Sequence, residues 1–115
     1  MTKLEGITTQ IAETMLEVFQ ELYHISMQIK MPNDIVYGKK KIGGILTQTK
    51  LSGELVKYMV VGIGVNTNQE KFVKEIENIA TSIKREFHIE IDNAKVICEF
   101  CNKFEEKMKE RIGEM

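Results

Sequence analysis

Three turn signals fall close together and cut the middle of the chain into short extended pieces: Pro32-Asn33-Asp34, Gly38-Lys39 and Leu51-Ser52-Gly53. Around them the side chains alternate or run apolar, as strands do, over residues 26–30, 35–37, 41–49 and 55–65. Parallel neighbours need a long crossover, and these connections are too short for one. The expected core is therefore an antiparallel four-stranded meander. Within it, the Gly43-Gly44 pair marks a bulge or a place where something approaches the backbone closely.

Helical spacing brackets this core. Ile11, Met15, Val18, Phe19 and Leu22 mark a helix over 8–23, with Thr8 and Thr9 placed to cap it. Phe72, Ile76, Ile79, Ile83 and Phe87 mark a second over 69–86. Asp92 can cap a third, with Val96, Ile97, Phe100, Phe104, Met108 and Ile112 inward and Gly113 at its end. The order α-β-β-β-β-α-α is an α+β class, an antiparallel sheet with helices packed on one face. The chain has 115 residues, enough for one domain and too few for two.

Composition removes several functions. The longest apolar stretch, 59–65, is far too short to span a bilayer. The first five residues carry no apolar leader, so a cytoplasmic location with reduced thiols is expected. A net charge of −1 gives no bulk attraction to nucleic acid or anionic lipid. Cys98 and Cys101 form a C-x-x-C inside an amphipathic helix, not at a helix start after a strand as in redox motifs. A structural zinc would need about two further ligands, and the only histidines are His24 and His88. The thiols are expected to be buried or half-buried and free, with no tightly bound metal. The methionines read as core filler.

Two stretches do not look like ordinary core. One is Lys30-Met31-Pro32-Asn33-Asp34-Ile35 with the following Lys39-Lys40-Lys41-Ile42-Gly43-Gly44-Ile45-Leu46. The other is Val60-Val61-Gly62-Ile63-Gly64-Val65-Asn66. Alternation puts Gly62, Gly64 and Asn66 on one strand face, so that face is bare of side chains. A flat ligand could lie there; equally, the glycines could admit a close-packed helix. The glycine spacing is neither a dinucleotide fingerprint nor a phosphate-binding P-loop. Lysines 39–41 suit a solvated turn, but Lys41 abuts the glycine pair and could project over a ligand as a point charge.

Taken in order, these stretches resemble the biotin–protein ligase family. Its pattern is Lys-Trp-Pro-Asn-Asp-Ile, a hairpin, Lys-(Ile/Leu)-(Ala/Gly/Ser)-Gly-Ile-Leu, and later Gly-(Ile/Ala)-Gly-(Ile/Val)-Asn. Ile79-Ala80-Thr81-Ser82-Ile83 is similar to the family's Ala-Thr-Ser-Leu segment. The resemblance runs from about Ile7 to Arg111. It implies part of a biotin/lipoate ligase-like catalytic domain. Biotin and ATP, the latter with Mg2+, would form biotinyl-5′-adenylate, and biotin would pass to a lysine of a carboxyl-carrier domain.

Carried over by motif, Lys41 is the catalytic lysine, contacting the biotin carboxylate and the adenylate phosphate. Gly44, Ile45 and Leu46 are biotin contacts, and Gly62, Gly64 and Val65 form the facing wall. Asn66 lies at the nucleotide side. Lys30 and Asn33 support the site, and Asp34 is a turn former more than a base. Met31 stands where the family has tryptophan, and Gln48 where it usually has glutamate.

The resemblance also implies an incomplete site. The family's Gly-Arg-Gly-Arg-x-x-Arg loop, which binds the ureido ring and triphosphate, has no counterpart here; the only arginines are Arg85 and Arg111. Nor is there a counterpart of the C-terminal β-barrel. The whole of 1–115 is expected to be the C-terminal portion of the catalytic domain, needing the missing N-terminal half to act. The rival expectations are a non-catalytic biotin- or adenylate-binding remnant and a dimerising interaction module. Exposed sheet surface also makes a homodimer the expected assembly.

Overall fold

The structure is a computed structural model, and it describes residues 6–113, without the side chain of Ile112. Residues 1–5, read above for a leader, lie outside the described residues. The elements are α1 (Ile7–Tyr23), β1 (Gln28–Lys30), β2 (Asp34–Tyr37), β3 (Lys40–Ser52), β4 (Leu55–Val65), α2 (Ile83–Phe87) and α3 (Asn93–Ile112). The sheet has the order β1-β2-β3-β4, and every neighbouring pair is antiparallel. This is the expected meander. β3 is longer at both ends than the pattern indicated, so the last hairpin closes at Gly53-Glu54 with Ser52 opposite Leu55.

α1 lies against the inner sheet face. Its Ile11, Ala12, Met15, Val18 and Phe19 are buried with Ile35, Ile42 and Ile45 of the sheet. The removal of this apolar stripe from water is the main force holding the two layers together. α3 packs beside α1 through Val96, Phe100, Phe104 and Met108. Polar clasps reinforce the contact. Lys107 Nζ donates to Glu17 at 2.8 Å and to the buried Thr14 hydroxyl at 3.0 Å. The Glu21 carboxylate accepts a hydrogen bond from Lys103 and raises that ammonium above its ordinary range.

Four local expectations are corrected. Thr8 and Thr9 do not cap α1: Gly6 is the N-cap with no side-chain bond, and the Thr8 hydroxyl instead bonds the Thr47 hydroxyl on β3 at 2.9 Å. The helix expected over 69–86 is not formed. Residues 74–79 make only turns, and Ser82, in an extended conformation, caps the short α2. The reason is tertiary. Asn68 pairs its amide with both backbone groups of Ile91, and Ser82 Oγ donates to the Gln69 carbonyl, so the segment is tied at both ends. Ile97 is 61% exposed, because α3 presents only a narrow stripe to α1. The same narrowness leaves Cys98 and Cys101 exposed rather than buried; they remain free thiols. Asp92 does cap α3, accepting from Lys95 N–H, and Gly113 closes it.

Candidate functional site

The geometry begins with a phase change in β3. Strict alternation would place residues 41, 43 and 45 on one face. The register against β2 slips there: Ile35 faces Gly43, but Val36 faces Lys41. Ile42 is therefore an extra residue, a bulge. Ile42, Gly43 and Ile45 are buried on the inner face, while Lys41 emerges outward. A bulge re-aims a side chain in this way. The lysine side chain then lies over Gly44: a Cβ at Gly44 would sit 3.4 Å from Lys41 Cε and 3.5 Å from Lys41 Nζ. Asp34 holds Lys41 Nζ at 3.2 Å, on a side chain that is 55% exposed.

The glycines divide into two kinds. Gly43 is a packing glycine, because a Cβ there would overlap the Gly64 carbonyl of the neighbouring strand. Gly64 is an open one: a Cβ would meet nothing within 4 Å. At Gly62 it would make only ordinary contact with Leu46. No helix packs on this side of the described sheet. Gly44 faces Gly64 and Leu46 faces Gly62 across the ladder, so four positions form a flat floor with Leu46, 60% exposed, as its one large side chain.

Two depressions meet at Lys41. A shallow one of about 440 Å³ is lined by Asn33, Asp34, Lys41, Gly44, Ile45, Leu46, Gly62, Ile63 and Gly64. A larger one of about 800 Å³ runs the other way, past Lys30, Lys39, Gly64 and Asn66 to Ile76 and Ile79. Asp34, Lys41, Gly44 and Gly64 border both. A single ammonium thus stands where an apolar-floored groove joins a wider, more basic one.

The structure brings most of the expected residues together. Lys41, Gly44, Leu46, Gly62 and Gly64 share the outer face, with Lys30 and Asn66 on the larger cavity. Ile45 borders the shallow groove, but its side chain is in the core, only 2% exposed, so a ligand there can meet only its backbone. Val65 points to the inner face with Val61 and Ile63, away from both depressions. Asn33 supports the floor directly: its amide donates to Ile45 O, and its carbonyl accepts from Ile45 N–H, both at 2.9 Å. Asn66 is engaged on both sides of its amide, donating to Thr81 O and accepting from Gln69, each at 3.2 Å.

One part of the site was not legible. Residues 79–81 lie alongside Lys41 in a parallel bridge, with Lys41 N–H donating to Ile79 O at 2.8 Å and Thr81 N–H to Lys41 O at 2.9 Å. The only signal was the family-like Ala80-Thr81-Ser82 run. Neither arginine reaches the site: Arg85 stacks over Phe72, and Arg111 donates to Gln10 on α1. Among the described residues no cluster of three or more His, Cys, Asp or Glu is arranged to hold a metal, and no helix is long and apolar enough to cross a membrane.

Comparison with known proteins bears on the family and the fold. The bifunctional ligase/repressor BirA of Bacillus subtilis (strain 168) is 33% identical over 112 residues, which cover 96% of this chain and 34% of BirA. The apo biotin protein ligase of Aquifex aeolicus superposes with a TM-score of 0.78 at 26% identity, over 96% of this chain and 48% of that one. The same ligase in complex with biotin and ATP gives 0.76 at 27% identity, over 92% and 44%. The chain thus spans about a third of the curated relative and about half of the solved one. The model of the biotin/lipoate A/B protein ligase family matches residues 1–66, more than half of the sequence. The chain belongs to that family.

Proposed function

We propose that the chain supplies one half of an ATP-dependent biotin–protein ligase site, which forms biotinyl-5′-adenylate and passes biotin to a lysine of a carboxyl-carrier domain. The carrying observation is the position of Lys41 at the junction of the two depressions. Biotin would lie on the glycine floor, with Leu46 against it and the backbone at Gly62 and Gly64 facing it. Val65 would back that wall from the core side, and Ile45 would contribute backbone only. The nucleotide would occupy the larger cavity toward Asn66.

The carboxylate of biotin and the α-phosphate of ATP then meet at Lys41 Nζ. Attack of the carboxylate oxygen on phosphorus forms the acyl phosphate and expels pyrophosphate. Lys41 offsets the negative charge that develops in that step, and such an aimed charge is worth most in a site closed to water. Magnesium would enter on the triphosphate. Asp34, the single carboxylate among the described residues lining the larger cavity, is engaged by Lys41, so the described residues offer no resident cage for the ion. Lys30 and Lys39 add positive charge on the same wall. No counterpart of the arginine loop closes over biotin and the triphosphate.

The test is incorporation of labelled biotin into a carrier domain with ATP and magnesium, by the chain alone and with the N-terminal half of a relative's catalytic domain supplied. No turnover alone and recovered turnover on addition is the expected result. Turnover alone at the level of an intact ligase would refute the half-site. No turnover in either case would leave the rival, a non-catalytic binder of biotin or adenylate, to be checked by titration.

A further inference from the structure

Lys41 is flanked by main chain on both sides, and the two flanks are unequal. β2 pairs with it through Val36, next to the bulge. On the other side stands only the isolated bridge to residues 79–81, which belong to no strand and follow a run of exposed turns. Two bonds hold Lys41 there, and the second is donated by Thr81 N–H.

What holds Thr81 is therefore what holds that flank. The Asn66 amide donates to the Thr81 carbonyl. The Thr81 hydroxyl, in a fully buried residue, donates to the Glu86 carboxylate. Asn66 is itself fixed by its own N–H, which donates to Ile42 O at 2.8 Å, and by its carbonyl, which accepts from Ile83 N–H at 3.0 Å. The path closes on itself. Ile42, the bulged residue, holds Asn66; Asn66 holds Thr81; Thr81 holds Lys41, the residue before the bulge.

We propose that Asn66 and Thr81 are positioning residues that act through Lys41. They lock the backbone at the bulge so that the Lys41 ammonium is aimed across Gly44. The inference rests on the reading of Lys41 as the charge between the two depressions. Its physical basis is that a bulge interrupts the ladder, so the local strand position needs a second support. Misplacing a catalytic group by 1 Å can cost about 10²-fold in rate.

The test uses Asn66→Ala and Thr81→Val in the isotope-labelled chain; the second keeps the side-chain shape and carries the test if the first does not fold. Amide hydrogen exchange should accelerate by about tenfold or more at Lys41 and Thr81, as local opening does, while Gln48 and Val60, a directly opposed pair in the middle of the β3–β4 ladder, stay unchanged. The second readout is affinity for biotinyl-5′-adenylate in a double-mutant cycle with Lys41→Ala. Each positioning variant should weaken binding about tenfold when Lys41 is present and add nothing once Lys41 is alanine. Unchanged exchange at Lys41 and Thr81 would overturn the proposal. So would equal acceleration at Gln48 and Val60, or additive losses in the cycle, which would mean a general loss of stability or a direct ligand contact. If the unaltered chain, completed by the N-terminal half of a relative's catalytic domain, does not bind biotinyl-5′-adenylate, the ligand reading of Lys41 fails while the exchange result still decides the clamp.

Discussion

The ribbon of β3 and β4 has two ends built from the same pairing, and only one of them borders the two depressions that meet at Lys41. At the Gly44–Gly64 end the ribbon is flanked by β2, by residues 79–81 and by α1 beneath. At the Ser52–Leu55 end, residues 48–55 are exposed throughout, and Leu51, Leu55 and Tyr58 are 52%, 74% and 55% exposed. Both ends carry lysines on the outer face. The difference shows that strand pairing gives a surface, whereas the neighbouring layers decide whether a side chain on it is held in one place. Lys41 has a bulge, a backbone clamp and an ion pair; Lys50 has only its ladder partner Tyr58.

The largest effect expected from this contrast is catalytic. With the site completed by the N-terminal half of a relative, Lys41→Ala should slow adenylate formation by about 10²-fold or more, the scale for losing one preorganised charge contact. Lys50→Ala at the free end should change it little. Single-turnover measurement of adenylate gives both numbers, and equal losses would remove the distinction between the ends.

The glycines sharpen it further. Gly43→Ala should cost about 1–3 kcal/mol in chemical denaturation, since the new methyl group meets a backbone carbonyl that cannot move freely. Gly64→Ala should leave stability within about 0.5 kcal/mol and yet weaken binding of biotinyl-5′-adenylate, because the methyl group stands on the open floor. If Gly64→Ala binds like the unaltered chain, the floor is not where the ligand lies.

The free end makes its own prediction. Leu51, Leu55, Tyr58 and Val60 present apolar surface, and β4 ends the sheet, so its outer edge is open to a further strand. We expect self-association, with a two-fold dimer as the commonest closed form. Light scattering at micromolar concentration should show a mass that rises with concentration, and Leu55→Lys should lower it. A clean monomer at all concentrations would mean that this end needs no neighbour.

The smallest effect is expected at Cys98 and Cys101. Serine at both positions should leave stability within about 0.5 kcal/mol, as for surface changes generally, and elemental analysis of the unaltered chain should find no stoichiometric zinc. A stoichiometric metal would assign the exposed face of α3 a role that the described residues do not supply.

Much of this is legible in the sequence. The four strands, α1, α3 and the antiparallel meander followed from periodicity and turn residues, which act within a few positions. Alternation also placed Gly62 and Gly64 together, and the same alternation already put Val65 on the opposite face; the family motif, not the strand geometry, drew Val65 into the site. The helix over 69–86 failed for the opposite reason. Its apolar spacing was real, but Asn66, Asn68 and Ser82 bond to groups far along the chain or in β3, and those bonds outweigh local propensity.

By itself the sequence determined the sheet, its order and the bare face on β4, because side-chain period and turn chemistry are local. Only the tertiary structure decided where Lys41 points. Counting by twos along β3 puts Lys41 on the inner face with Gly43 and Ile45, and the bulge at Ile42 turns it outward. At the slip, Ile35 and Ile42 are buried with α1 beneath the sheet, and residues 79–81 bridge to Lys41 beside it. The Gly43-Gly44 pair marked a bulge or a close approach in this strand, but that the bulge falls at Ile42 and turns Lys41 outward rests on contacts with α1 and with residues 79–81, which lie far from β3 in the chain.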